Sequence, residues 1–215
     1  MSKYSVILFD MDGTIANTDE MIVQTFLELY RLYRKGEATS REQIYYFSGP
    51  PIRETLKKEF PSLDQQFAWD EFHRISWDFY PKYITGYPHC REVLLRLKEQ
   101  GYKMGIVTNK IHKTSIYCLE LLNLKDIFDV VIGFDDVSVG KPNKEGMHKA
   151  MHLLGEDDPN KVIYVGDNES DLLTANNSSV DCVLVNWGPR KLNPNLNCKY
   201  KINSFDELEE VINHD

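Results

Sequence analysis

The sequence has few cysteines, and their arrangement excludes the usual cysteine-based sites. No Cys-x-x-Cys pair occurs among the four of them, which are Cys90, Cys118, Cys182 and Cys198. Scattered cysteines are typical of reduced thiols, whereas a disulfide framework or a zinc site needs characteristic spacings. We therefore expect a cytoplasmic protein.

Long apolar runs and an excess of positive charge are also missing. No stretch approaches the ~20 apolar residues of a membrane-spanning helix, and Asp10 interrupts the apolar run near the N-terminus. The formal net charge is -8, whereas binding to nucleic acid requires a basic surface. We expect neither a membrane nor nucleic acid as a partner.

The sequence does contain a regular alternation of short apolar runs with helical patterns after residue 84. Predicted strands at 103–108, 130–133, 162–166 and 182–186 alternate with predicted helices at 89–100, 112–123, 144–154 and 169–177. This alternation predicts a mostly parallel sheet with helices on both faces. A polar stretch, 193–201, precedes a last predicted helix at 205–213.

Residues 16–83 differ from the rest of the chain in pattern and composition. They contain more than half of the aromatic residues and no β-rich segment. That density indicates a packed helical unit with its own small core. We therefore predict an α/β fold in which residues 1–15 and 84–215 form one domain and residues 16–83 are an inserted helical unit.

The most informative motif lies near the N-terminus. A continuous apolar run, Val6–Phe9, reads as a buried strand and leads directly into Asp10 and Asp12. Gly13 then allows a sharp turn. Two carboxylates are thus expected at the end of a rigid strand, where an open parallel sheet places its ligands.

Polar side chains also follow three further predicted strands. Because the C-terminal ends of parallel strands share one edge of the sheet, we expect these side chains to converge with the two aspartates. They are Thr108, Asn109, Lys141, Asp167 and Asp171.

Gathering four aspartates is unfavourable unless positive charge lies among them. Two like unit charges about 4 Å apart repel by about 4 kcal/mol at an effective dielectric near 20. Lys141 supplies one positive charge, and a divalent cation would supply the rest. Because all the ligands are oxygens, we predict Mg²⁺ rather than zinc, bound by Asp10, Asp12, Asp167 and Asp171.

This group of side chains is suited to phosphoryl transfer. One carboxylate can attack a phosphoryl group, and a second carboxyl two residues along can give its proton to the leaving oxygen. Thr108 and Asn109 offer hydrogen-bond donors to the phosphoryl oxygens, while Lys141 offsets the negative charge. A small phosphorylated substrate is therefore the expected partner.

Four motifs in this order resemble those of the haloacid dehalogenase superfamily, and the match covers the whole chain: Asp10–Thr14, Thr108, Lys141–Pro142 and Gly166–Asp171. Three further stretches are similar to phosphoglycolate phosphatases and related inorganic pyrophosphatases: Phe47–Ile52, Val107–Lys110 and Asp135–Val137. The resemblance implies a Rossmann-like core with an α-helical cap. It also implies Mg²⁺-dependent hydrolysis of phosphoglycolate, a similar small ester or pyrophosphate through an aspartyl-phosphate.

The resemblance also implies individual roles. Asp10 would be the nucleophile and a Mg²⁺ ligand, and Asp12 would be the general acid and base, with its backbone carbonyl also on the metal. Lys141 would steady the aspartyl-phosphate. Asp167 would bind Mg²⁺ directly, with Asp171 nearby, often through water.

Two cap residues and two lysines lie outside the four ordered motifs. Gly49 and Arg53 form either a substrate-reading loop of the cap or an ordinary helix–helix turn with a solvated arginine. Two lysines depart from common family patterns: Lys144 stands in place of a second proline, and Lys110 follows Thr108-Asn109. We expect neither lysine to touch the catalytic set.

Three alternative functions stay open at this point. A mutase of the β-phosphoglucomutase type would use the same residues, and a nucleotidase would differ only in its substrate. A catalytically silent binding protein is disfavoured by the intact set of aspartates. We expect a monomer or a homodimer.

Overall fold

The computed structural model describes residues 3–34, 39–48, 51–188, 193 and 195–214. Its strands are β1 (Val6–Phe9), β2 (Ala16–Asn17), β3 (Thr85–Gly86), β4 (Lys103–Val107), β5 (Val130–Ile132), β6 (Val162–Gly166), β7 (Asp181–Val185) and β8 (Tyr200–Ile202). Its α-helices are α1 (Asp19–Tyr33), α2 (Arg41–Tyr45), α3 (Ile52–Glu59), α4 (Gln65–Tyr83), α5 (Cys90–Glu99), α6 (His112–Leu121), α7 (Glu145–Leu154), α8 (Glu169–Asn177) and α9 (Phe205–His214). Among the residues described, no helix combines the length and the apolar composition that a membrane crossing requires.

Six of the strands form one parallel sheet in the order β5-β4-β1-β6-β7-β8. The central strand β1 is buried on both faces because side chains alternate along a strand. Val6 and Leu8 pack in the same apolar cluster as residues of α7 and α8, whereas Ile7 and Phe9 pack with residues of α5, α6 and α9. The predicted α/β fold, a parallel sheet between helices, is confirmed.

The chain leaves β1 through a tight turn that fixes where its two aspartates lie. Gly13 has a φ of 89°, a conformation that favours glycine. Its N–H donates to the Ala16 carbonyl at 2.9 Å, and its carbonyl accepts from the Trp187 indole at 3.1 Å. The turn holds Asp10 and Asp12 at the sheet edge while the chain departs toward the helices.

Four helices, α1 to α4, lie between β2 and β3 and pack around aromatic side chains. The Phe26 ring lies 4.8 Å from that of Phe47 and 5.7 Å from that of Phe72. Apolar residues at helical spacing predict a helix over 19–35 that ends at Gly36. In the structure α1 ends at Tyr33, and Gly36 lies outside the described residues. The boundaries of a separate cap at 16–83 remain a prediction.

Three short strands were absent from the sequence-based prediction. Strands β2 and β3 pair antiparallel, where the chain enters and leaves the helical insert. No strand was predicted in the polar stretch 193–201, yet Tyr200 begins β8, which adds to the sheet beside β7. Strands of two or three residues have no room for a recognisable hydrophobic period.

Candidate active site

Three buried carboxylates meet at the C-terminal edge of the sheet. Asp10 follows β1, Asp167 follows β6, and Asp171 lies in the first turn of α8. Each offers an oxygen within 4.8 Å of the other two. Asp171 is held by the N–H groups of Asp167 and Asn168, which donate to its Oδ2 at 3.0 and 3.1 Å.

The close approach of Asp171 depends on Gly166, the last residue of β6. A Cβ at that position would lie 2.3 to 2.5 Å from the Asp171 side chain. Any larger residue would therefore displace this carboxylate from the cluster.

Lys141 connects two of the carboxylates. Its Nζ donates to Asp10 Oδ1 at 2.6 Å and to Asp171 Oδ1 at 2.7 Å, and it lies 3.0 Å from the Tyr164 hydroxyl. That hydroxyl gives its proton to the Val107 carbonyl at 2.7 Å, so it accepts from the lysine. Each of the three ammonium protons thus has an acceptor.

The charges of this cluster are strongly coupled. Burial lowers the pKa of Lys141, but Asp10 and Asp171 outweigh it and keep that pKa above its ordinary value. Burial raises the pKa of Asp171 despite the opposing effect of Lys141, and Asp10 adds to the rise. Three carboxylates face one ammonium, and this oxygen-rich, negatively charged set fits a hard divalent cation.

The second oxygen of Asp10 is the most available atom of the cluster. Oδ1 is occupied by Lys141. No group within the described part of the chain donates a hydrogen bond to Oδ2, and Asp10 lines the cavity above the sheet edge. The residue is therefore oriented by one oxygen and open at the other.

The sequence predicts that the Asp12 carboxylate joins the cluster, but the cluster consists of Asp10, Asp167 and Asp171. Both of its oxygens accept from Lys110 Nζ at 3.1 Å. The Lys110 side chain is only 7 % exposed, and its ammonium lies 4.9 Å from the centre of the Tyr80 ring. The expectation that Lys110 would stay clear of the catalytic set is wrong, because it pairs with Asp12 directly.

The two residues that follow β4, Thr108 and Asn109, differ in their hydrogen-bond partners. Thr108 is buried and lines the cavity, and its hydroxyl accepts from the Lys110 N–H at 3.2 Å. Asn109 binds the backbone of Lys141 twice, accepting from its N–H at 2.8 Å and donating to its carbonyl at 3.2 Å. Asn109 thus anchors the lysine, and its binding to substrate remains a prediction.

The helical insert covers the sheet edge and encloses a cavity of about 70 Å³. Its lining includes the aromatic side chains of Trp69, Phe72 and Tyr80. Arg53 also lines it, with its guanidinium 4.1 Å from the centre of the Trp69 ring. Gly49, the other residue expected in a substrate-reading loop, lies outside the described residues.

Sequence reasoning overlooked two polar residues of this region. Tyr164 gave a weak signal, a hydroxyl within an apolar strand three residues before Asp167. His73 gave none, because α4 carries many aromatic and polar residues. In the structure His73 lines the cavity, and its Nε2 is buried with no hydrogen-bond partner among the described residues.

Comparisons with known proteins agree with this architecture. The family described as haloacid dehalogenase-like hydrolase matches residues 7–185. Pyrophosphatase PpaX of Bacillus cereus is 35% identical over 86% of this chain and 84% of its own length. A haloacid dehalogenase-like hydrolase from Bacteroides fragilis has a TM-score of 0.81 at 26% identity, covering 88% of this chain and 90% of that one.

A further solved structure, of a predicted phosphoglycolate phosphatase from Haemophilus somnus, has the same fold. Its TM-score is 0.83 at 19% identity, over 98% of this chain and 99% of that one. The resemblance drawn from the four motifs is confirmed, and so is the expected class of enzyme, a hydrolase. The chain belongs to the haloacid dehalogenase-like hydrolase family.

Proposed function

We propose that the protein is a Mg²⁺-dependent phosphatase that hydrolyses pyrophosphate or a small phosphate monoester through an aspartyl-phosphate. One observation carries the proposal. Asp10, which lines the cavity, is fixed through Oδ1 by Lys141, and Asp167 and Asp171 each offer an oxygen within 4.8 Å of it. This arrangement supports attack by a carboxylate on a phosphoryl group.

The proposed reaction has two half-reactions. In the first, Asp10 Oδ2 bonds to phosphorus, the bond to the leaving oxygen breaks, and Asp12 gives that oxygen a proton. In the second, Asp12 takes a proton from water, which attacks phosphorus and breaks the bond to Asp10. Lys141 offsets charge on Asp10 and the phosphoryl group, and Thr108 offers its hydroxyl to a phosphoryl oxygen.

Residues suited to hold the metal ion are present at the same edge. Asp10 and Asp167 would bind it directly, and the backbone carbonyl of Asp12 would be a further ligand. Asp171 already accepts three hydrogen bonds, from Lys141 and two backbone N–H groups, so it would act through water. When bound, Mg²⁺ would neutralise charge on the phosphoryl oxygens.

The cavity and the relatives favour a compact substrate. Its volume of about 70 Å³ is well below the ~300 Å³ at which pockets for drug-sized ligands begin. A relative at 35% identity is a pyrophosphatase, so pyrophosphate is the first candidate and 2-phosphoglycolate the second. Residues 16–83 would act as a cap that excludes water while the aspartyl-phosphate forms.

Phosphate release from a panel of compounds tests the proposal. We expect release from pyrophosphate or 2-phosphoglycolate with Mg²⁺, loss of release with a chelator, and recovery when Mg²⁺ is restored. An isomerised hexose phosphate would instead indicate a mutase, and a preference for nucleoside monophosphates would indicate a nucleotidase. Failure to release phosphate from any compound would favour a silent binding protein.

A further inference from the structure

The Lys110–Asp12 ion pair lies in the wall of the cavity rather than on the open surface of the protein. Both residues line the cavity, together with Tyr80 and His73. Burial lowers the pKa of Lys110, but Asp12 and Tyr80 more than offset this and raise it well above its ordinary value. Lys110 is thus a charged ammonium in the wall of the cavity.

The pair is also longer than the ion pairs of the other cavity lysine. Lys110 Nζ lies 3.1 Å from both Asp12 oxygens, whereas Lys141 Nζ lies 2.6 and 2.7 Å from its two carboxylates. Strong charge-assisted bonds usually measure about 2.7–2.9 Å. Lys110 is therefore held by one symmetric, relatively long contact, and Lys141 by two short ones.

A second, independent observation comes from the helical insert. His73 Nε2 is buried without a hydrogen-bond partner among the residues described, although a buried polar atom usually has one. Burial and the positive charges of Lys110 and Arg53 lower the pKa of this imidazole. Arg53 also lines the cavity, with its guanidinium over the Trp69 ring. This side of the cavity thus has two cations and an unsatisfied ring nitrogen.

We propose that Lys110, assisted by His73, recognises a second anionic group on the leaving side of the substrate. The inference rests on the proposed phosphatase function and specifies its substrate class. The ligand is a small phosphate compound with a carboxylate or a second phosphate next to the bridging oxygen. On binding, Lys110 exchanges the Asp12 carboxylate for that anion.

The exchange explains how Lys110 has an anionic partner both in the free protein and in the substrate complex. A buried ammonium without an anionic partner is strongly unfavourable, so Lys110 keeps Asp12 while the cavity lacks an anion. A substrate with a charged leaving side supplies a replacement partner. The released Asp12 carboxylate then takes up a proton from solvent and turns toward the bridging oxygen. A neutral leaving side supplies none, and Asp12 stays bound to Lys110.

Two substrates of similar size test the proposal: 2-phosphoglycolate, with a carboxylate, and 2-hydroxyethyl phosphate, with a neutral hydroxyl. In Lys110→Met we expect kcat/KM for 2-phosphoglycolate to fall on the order of 100-fold, the effect of losing a charged hydrogen bond. Activity on 2-hydroxyethyl phosphate should stay within about threefold or rise, because Asp12 is no longer held.

Lys113→Met is the matched control. Lys113 lies three residues along, with its ammonium 4.9 Å from the centre of the Trp77 ring, and the change removes the same charge from the same region. We expect it to leave the ratio of the two kcat/KM values unaltered. Lys110→Arg keeps the positive charge, so its kcat/KM should still be higher for 2-phosphoglycolate than for 2-hydroxyethyl phosphate.

The outcomes separate this inference from the proposed function. If wild type releases phosphate and Lys110→Met lowers both substrates equally, Lys110 does not read the leaving side. If wild type releases no phosphate from any compound, the proposed function itself fails. Should Lys110→Met unfold, the ratio in Lys110→Gln decides, together with calorimetric binding of 2-phosphoglycolate to Asp10→Asn with and without Lys110→Gln. Equal affinities in that pair would overturn the inference.

Discussion

The two walls of the cavity are built on different principles. The wall from the sheet edge is polar and fully connected, with Lys141 joined to Asp10, Asp171 and Tyr164 at 2.6 to 3.0 Å. The wall from the helical insert is mostly aromatic, and His73 keeps an unpaired nitrogen among the described residues. Preorganised charges suit the reaction step, whereas unsatisfied groups suit recognition of an arriving anion.

The difference follows from what supports each wall. Hydrogen-bonded strands on both sides fix the end of β1, so Asp10 has little freedom. The insert lines the site with side chains from its helices and with the loop residues Ser48 and Pro51. Changes to the network around Lys141 should therefore affect every substrate alike. Changes to the insert wall, and to Lys110 where it meets that wall at Tyr80, should affect some substrates more than others.

The largest effect is expected from Asp10→Asn. An amide is no nucleophile, so phosphate release should fall by at least about 10⁴-fold for all substrates. Steady-state phosphate release measures this, and thermal unfolding should show a folded protein. Asp157→Asn, at a side chain that is 88% exposed, is the control and should keep full activity. Near-normal turnover by Asp10→Asn would remove Asp10 from its proposed role.

Asp12→Ala should have the next largest effect, because Asp12 lies where the two walls meet. Loss of general acid catalysis typically lowers a rate by about 10²–10⁴-fold. The deficit should be smaller for p-nitrophenyl phosphate, whose leaving group needs no proton, than for an alkyl phosphate. An equal deficit for both compounds would argue against proton transfer by Asp12.

The sheet wall was more accessible to sequence reasoning than the insert wall. Asp10 and Asp167 each follow an apolar run directly, so the end of a parallel strand predicts their position. The contact between Asp12 and Lys110 spans 98 residues and depends on side-chain directions that no local pattern encodes. The expectation of four clustered carboxylates failed for that reason.

The same contrast holds for the fold. Helix α7 and strand β6 were predictable because apolar residues recur at helical spacing in the one and run continuously in the other. Strands β2 and β3 hold two residues each and exist only because the chain crosses twice at one place. Their pairing is a consequence of the tertiary structure, which no local signal reveals.

Tyr164→Phe should have a moderate effect on every substrate, as expected for the sheet wall. The change leaves one Lys141 proton and the Val107 carbonyl without their partner, which destabilises the fold by about 1–3 kcal/mol. We expect kcat to fall about tenfold through the displaced lysine, with KM little changed. Tyr46→Phe, at a residue that is 60% exposed, is the control. A substrate-selective loss would contradict the distinction between the walls.

His73→Gln, in the insert wall, should have the smallest effect on turnover. Its effect on stability should depend on pH, and that dependence tests the protonation state of His73. Burial and the charges of Lys110 and Arg53 lower the pKa of His73 to about 4, against an ordinary value of 6.5. As the pH falls below 6.5, the unfolded chain binds a proton that the native imidazole does not bind until about pH 4. Wild type should therefore lose about 1–2 kcal/mol of stability between about pH 7 and 5 that His73→Gln does not lose.

Urea unfolding of both proteins at pH 7 and pH 5 measures this difference, because the carboxylates contribute equally to each. If both proteins lose the same free energy of unfolding, His73 is already protonated or well solvated in the native state. His73 would then be a satisfied side chain of the insert wall, and the contrast between the two walls would rest on the aromatic lining of the insert alone. A steeper loss in wild type supports an imidazole that stays neutral in the native protein at pH 5.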